Sequence, residues 1–139
     1  MNLIDLALSI AEKAHAGQTD KGGSAYIDHP RAVAAVFKDD YRQAAALLHD
    51  VVEDSQTTLE GLKEAGIPGP VVEAVDALTK RQGETYYNYL DRVKANPIAC
   101  DVKLADLKHN SQISRIPNPR EKDYKRLQKY KEAYLYLTN

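Results

Sequence analysis

The sequence predicts an all-α fold, a compact bundle of seven or eight short helices forming one domain over residues 1–139. Three observations predict it. Strand signals are almost absent, and nearly every segment carries apolar residues at helical spacing. The segments are punctuated by Gly, Pro and Asn–Pro at positions that start or stop helices. A chain of 139 residues, 43% apolar and 28% charged, suffices for one hydrophobic core and resembles an ordinary globular domain.

The elements follow in order. Residues 2–16 place Leu3, Ala7, Ile10, Ala11 and Ala14 on one stripe, which predicts an amphipathic helix. The stretch GQTDKGGSAYIDH, polar with three glycines, predicts a loop. Pro30 suits the first position of a helix running to about Phe37. YRQAAALLHDVVE, residues 41–53, predicts a strongly apolar central helix. Thr57 or Thr58 caps a short helix that Gly66 ends. Helices are expected near 68–80 and 85–95. Asn96–Pro97 opens another, to about Asn110. Pro117 and Pro119 break the chain, and a last amphipathic helix runs from about Asp123 to Leu137.

The formal net charge of −1 gives no global basic field, so no nucleic-acid polymer is expected as a partner. Residues 115–131 nevertheless hold seven Lys/Arg against two Asp/Glu, a local +5 that leaves −6 for the remainder. Such a segment is either a solvated helix face or a site for a small anion. No apolar run approaches the roughly 20 residues of a membrane span, so no membrane partner is expected. The first residues read as a helix and not as a signal peptide, and the single cysteine, Cys100, lies in an apolar stretch as a core residue. A reducing, cytoplasmic location is expected by elimination.

His49 and Asp50 stand side by side in the most apolar helix. Burying two ionisable groups there is expensive unless they are paired or ligate something. Neighbouring helix positions diverge by about 100°, so both can face an ion lying between them only if other segments complete the shell. His29, at a loop-to-helix junction, and Asp106, the acidic residue in VKLADLKHN, are the candidates. A set of two imidazoles and two carboxylates without thiolate suits Mn²⁺, Fe²⁺ or Zn²⁺ and leaves positions open for water and substrate.

The order His29…His49–Asp50…Asp106 resembles the HD superfamily of metal-dependent phosphohydrolases. No histidine occurs between Asp50 and Asp106, where two-metal members carry extra ones, so the resemblance implies one divalent ion, with Mn²⁺ the first expectation. GQTDKGGSAYIDHP, AALLHDVVEDSQTT and VKLADLKHN together resemble the hydrolase domain of alarmone synthetase–hydrolases and of small stand-alone alarmone hydrolases, over about residues 1–137. That resemblance implies an HD-domain helical bundle that removes the 3′-pyrophosphate of guanosine tetra- and pentaphosphate. The chain is too short to carry the family's separate synthetase domain as well.

The resemblance also assigns roles. Glu53 and Asp54 match the family's catalytic acidic pair, and Glu53, four residues after His49 and three after Asp50, shares their helix face. Asn110 matches a sugar-binding asparagine, Lys21 a phosphate-contacting lysine, and Arg126 and Tyr130 an arginine and tyrosine facing the pyrophosphate. The implied partner is a small phosphorylated nucleotide. Asp20 departs from the pattern, because arginine usually stands there and stacks on guanine. Weak discrimination against adenosine analogues follows as an expectation. Tyr86, Tyr87 and Tyr89 either pack internally or line the pocket. His15 is expected to cap the first helix, and His109 to be partly exposed and not a ligand. The alternatives are an HD nucleotidase acting on another nucleotide, and a metal-stabilised module that binds a nucleotide without chemistry.

Overall fold

The computed structural model describes residues 2–20, 22–112 and 116–139, and among them it contains helices and no strand. The elements are α1 (Leu3–Ala14), α2 (Asp28–Ala34), α3 (Asp40–Leu48), α4 (Val51–Asp54), α5 (Leu59–Glu64), α6 (Gly69–Leu78), α7 (Tyr86–Ala95), α8 (Pro97–Asn110) and α9 (Glu121–Thr138). Among the described residues no helix is long and apolar enough to cross a membrane.

α3 is the centre of the bundle. Ala44, Ala45, Ala46, Leu47 and Leu48 are consecutive and all buried, so the helix is surrounded on every side. An apolar helix without a polar face can only be a core helix. α1, α2, α6 and α8 pack around it, and the small alanines let them approach closely. α8 in turn packs on α2, α6, α7 and α9, so α3 and α8 both reach the middle of the molecule.

Local chemistry sets the boundaries. The Asn96 side chain accepts from Ala99 N at 3.0 Å, and Pro97 starts α8, as the Asn–Pro pair predicts. Thr58 caps α5 by accepting from Gly61 N at 3.0 Å. Gly66 ends it with φ of 101°, a left-handed conformation natural to glycine.

Two boundaries differ from expectation. α2 begins at Asp28, before Pro30, and His29 therefore sits inside its first turn. Proline is tolerated there because first-turn amides have no intrahelical partner. The central helix expected over 41–53 is interrupted. Asp50 adopts φ −109°, ψ 0°, and α4 starts afresh at Val51. With α3 and α4 taken as one broken helix, the bundle has eight helices among the described residues. Cys100 is half-buried against the core.

Candidate functional site

The break between α3 and α4 positions the site. In an unbroken helix His49 and Asp50 would diverge by about 100°. The turn at Asp50 instead brings its Oδ2 to 3.0 Å from His49 Nε2. The first turn of α2 delivers His29 from one side, and α8 delivers Asp106 from the other. His29 Nε2 lies 2.7 Å from Asp106 Oδ1, and His49 Nε2 lies 3.4 Å from the same oxygen. Donor atoms of His29, His49 and Asp50 all fall within 4.8 Å of one another. His29, His49 and Asp106 are 3%, 2% and 4% exposed, so this polar ring is closed into the core.

His49 Nε2 is the telling atom. His49 Nδ1 lies 2.5 Å from the Ala46 carbonyl, which fixes the ring as an Nδ1–H donor. On the neutral ring Nε2 then carries a lone pair and faces inward, buried and without a hydrogen-bond partner among the described residues, even though two carboxylates stand beside it. Burying an unpaired acceptor between two anions is costly. A cation removes that cost. Donors sharing one ion at about 2.1 Å are separated by roughly 3–3.5 Å, and His49 Nε2 stands at 3.0 and 3.4 Å from the two carboxylates. The field agrees. Burial opposes a proton on His49, yet Asp50 and Asp106 outweigh it and push its pKa well above the ordinary value, so positive charge is favoured at this point.

A second layer holds the ring. Tyr26 OH donates to Asp50 Oδ2. Asn110 Nδ2 donates to Asp106 Oδ1 at 3.0 Å, and Lys103 Nζ to Asp106 Oδ2 at 3.1 Å. Burial alone would raise the Asp106 pKa, but Lys103 and His49 hold it well below the carboxylate range. The Nδ1 atoms of His29 and His109 are 2.6 Å apart, so one ring donates to the other and His29 keeps its orientation. His109 is partly exposed, as expected, but supports His29 from behind. The His15 side chain does not cap α1. Its backbone N–H does that, while Nδ1 pairs with Gln18 Oε1 at 2.9 Å and the ring packs 4.7 Å from Tyr26.

Glu53 and Asp54 are exposed and lie one turn beyond the break. Glu53 Oε1 accepts from the Lys80 backbone N–H at 2.5 Å. Partial burial, with the nearby Asp50 charge, raises the pKa of both carboxyls, while the Lys80 N–H works against it for Glu53.

The proposed substrate contacts are less uniform. Asn110 is tied to Asp106 through its amide nitrogen. Arg126 pairs with Asp123 at 3.3 Å and borders a cleft of about 270 Å³ with Ile116, Asn118 and Arg120. Tyr130 is half-buried, near Tyr86 and Lys103, and borders an apolar cavity of about 420 Å³ with Lys108, Tyr134 and Leu135. The two residues share a helix side but open onto different cavities. Lys21 lies outside the described residues. Asp20 shapes its own loop. Its Oδ1 accepts from Gly22 N at 2.9 Å and Ser24 N at 3.0 Å, closing the loop that carries Tyr26. Of the tyrosines, Tyr89 is buried and donates to Leu78 O at 2.9 Å, Tyr87 is 50% exposed, and Tyr86 lies between.

Sequence reasoning missed Tyr26 and Lys103. Their signals were present but unremarkable: a tyrosine three residues before His29, and a lysine one turn before Asp106.

The HD domain model matches residues 7–101, more than half of the chain. The chain belongs to the HD-domain family. A "probable GTP pyrophosphokinase" of Mycobacterium leprae is 33% identical to this HD domain over 132 aligned positions, covering 86% of this chain and 17% of that protein. A "guanosine-3′,5′-bis(diphosphate) 3′-pyrophosphohydrolase" of Haemophilus influenzae is 39% identical over 116 positions, covering 73% and 17%. The chain thus spans about a sixth of the length of these curated relatives. A solved structure described as "A metazoan ortholog of SpoT hydrolyzes ppGpp and plays a role in starvation responses" superposes with a TM-score of 0.80 at 20% identity. The match covers 99% of this HD domain and 85% of that chain, so the two share a fold.

Proposed function

We propose that this HD domain is a metal-dependent phosphohydrolase that removes the 3′-pyrophosphate of guanosine tetra- or pentaphosphate. His29, His49, Asp50 and Asp106 would hold one divalent ion, with Mn²⁺ the preferred metal and Fe²⁺ or Zn²⁺ the alternatives. The observation that carries the reading is the buried, unpartnered His49 Nε2 between two carboxylates and beside His29. The relatives' names supply the substrate class.

Such an ion supplies Lewis acidity, lowering the pKa of water and neutralising charge on a phosphate oxygen. The chain's own residues do the rest. Glu53 accepts the proton of the attacking water, and its raised pKa brings the carboxylate closer to the working range of a general base. The Lys80 N–H fixes its orientation. Asp54 receives or relays a proton. Lys103 and Asn110 keep Asp106 from turning. Arg126 and Tyr130, with Lys21, bind the phosphorylated ligand from α9 and the loop.

The test is a nucleotide panel with Mn²⁺, read by chromatography for product identity. Guanosine tetraphosphate should give guanosine 5′-diphosphate and pyrophosphate. Intact 3′-pyrophosphates together with cleavage of a simple 5′-nucleotide would replace this reading with a nucleotidase. Binding without turnover of any nucleotide would leave a non-catalytic module.

A further inference from the structure

We propose that Lys80 and Lys129 form a second anion subsite, which takes the 5′-phosphates of the nucleotide while the 3′-pyrophosphate is cleaved at the histidine–aspartate ring. The proposal deepens the functional reading above and rests on it for the identity of the nucleotide.

The two lysines come from different elements and converge on one ring. Lys80 leaves the C-terminal end of α6, and its Nζ lies 5.8 Å from the Tyr86 centroid. Lys129 projects from α9, and its Nζ lies 4.2 Å from the same centroid. Helical periodicity cannot produce this pairing, because the two are 49 positions apart in sequence (129 against 80). Both side chains are exposed, and among the described residues neither ammonium makes an ion pair. Other lysines of the molecule do: Lys103 with Asp106, Lys63 with Glu60 and Lys125 with Glu121.

The spot adjoins the ring without belonging to it. The Lys80 backbone N–H holds Glu53 Oε1, so one residue links the proposed base to the proposed subsite. From Asp106 the contacts run to Lys103 Nζ at 3.1 Å, from there to the Tyr89 centroid at 5.4 Å, and from Tyr89 to Tyr86 at 6.0 Å. Lys103, Tyr89 and Tyr86 stand between Asp106 and the two lysines in this series of contacts, so the anion they take is assigned to a second group on the ligand. A nucleotide phosphorylated at two positions of its sugar meets that requirement.

The chemistry fits phosphate. An ammonium resting on an aromatic ring is held in place by the ring quadrupole, while its N–H groups stay free to donate outward. Two such groups make charge-assisted hydrogen bonds to phosphate oxygens, the stronger class of hydrogen bond. Lys129 belongs to a stretch of sequence, residues 115–131, with a local charge of +5, and such a charge favours approach of a polyanion. Packing of lysine stems on tyrosine is the competing explanation, and it makes no demand on ligand charge.

The experiment compares wild type with Lys80→Gln/Lys129→Gln by calorimetry, with Mn²⁺ present and two probes, guanosine 5′-diphosphate and guanosine. Glutamine keeps the stem and leaves the Lys80 backbone N–H on Glu53. Guanosine 5′-diphosphate affinity should fall by about 10–100-fold, and guanosine affinity should not change. Equal guanosine 5′-diphosphate affinity in the two proteins overturns the subsite, as does wild-type binding of the diphosphate no tighter than guanosine. Turnover of guanosine tetraphosphate is measured on the same wild-type sample. Diphosphate binding that depends on both lysines in a protein that leaves the tetraphosphate intact upholds the subsite and removes the functional reading.

Discussion

At the scale of single residues, the site separates into groups that would hold an ion and groups that would use it. Glu53 is proposed to be of the second kind, so Glu53→Gln should lower kcat by about 10²–10⁴-fold while bound Mn²⁺ stays near one equivalent. Elemental analysis beside steady-state kinetics checks this, and unchanged turnover removes the assigned role. Lys103 presents an opposite case. Its ammonium is buried against Asp106. Lys103→Met would remove the ammonium partner of Asp106 and leave His49 as its main offset, destabilising the metal-free protein by about 3 kcal/mol. A cation would then recover more stability in the variant than in wild type. The thermal shift on adding Mn²⁺ should be larger for Lys103→Met, and a smaller shift would mean that Lys103 chiefly aims the carboxylate. His49, Asp50 and Asp106 were legible in the sequence because ionisable groups in apolar helices need a reason to be there, and His29 entered from a loop-to-helix junction as the donor that completes the set. Lys103 was not, since a lysine on a helix ordinarily reaches solvent. Asp20 read as a lost guanine clamp, and the structure adds that its carboxylate ties Gly22 and Ser24. Asp20→Arg would loosen the loop that carries Tyr26, so it is no clean test of guanine selectivity.

At the scale of elements, periodicity located nearly every helix but not the break after Leu48. AALLHDVVED has the same apolar spacing whether or not the helix continues, and only the tertiary pull of Tyr26 and Asp106 on the His–Asp pair distinguishes the two. The end of α6 falls within two residues of the expected one, but what satisfies it was invisible. Its last carbonyls are satisfied from α7: Arg92 donates to Thr79 O at 2.9 Å, Asp76 O at 3.3 Å and Ala77 O at 3.4 Å. Glu84 grips the same guanidinium through both oxygens, at 2.6 and 2.9 Å. Sequence separation hides such a cap. The Arg92 fork lowers the Glu84 pKa from 4.5 to about 2. A carboxylate whose pKa is lower when folded contributes stability above its unfolded value and loses it as pH falls through the folded one. The stability difference between wild type and Arg92→Met should therefore be constant above pH 4.5 and shrink between pH 4.5 and about 2. Denaturant melts across that range decide it. A gap that stays constant down to pH 2 would mean the carbonyl contacts alone carry the effect.

At the scale of the whole molecule, the ring joins elements that are far apart in sequence. His29 comes from α2, His49 and Asp50 from the α3–α4 junction, and Asp106 from α8. Their packing rests on a core whose largest buried side chains include Leu48, immediately before His49. Leu48→Ala should cost about 2–5 kcal/mol by leaving a cavity there, and the site should loosen with it. The reverse coupling is sharper. An ion that binds only the folded chain cross-links α2, α3 and α8, and adds RT ln(1 + [L]/Kd), about 2.7 kcal/mol at a hundredfold excess over Kd. For a domain of this size that corresponds to a rise in Tm of roughly 10 °C. Wild type should show the rise with Mn²⁺ and lose it to a chelator. His49→Ala and Asp106→Ala should show almost none, because each removes a donor and leaves the remaining donors unable to close the shell. Glu53→Gln should show the full rise, since its carboxyl is held by the Lys80 N–H and is not one of the proposed donors. The pattern across these four proteins separates ion binding from general salt effects, which would shift all of them alike. A Tm indifferent to chelation in wild type would mean that the two carboxylates around His49 Nε2 are matched by a proton, and the metal assignment would fall.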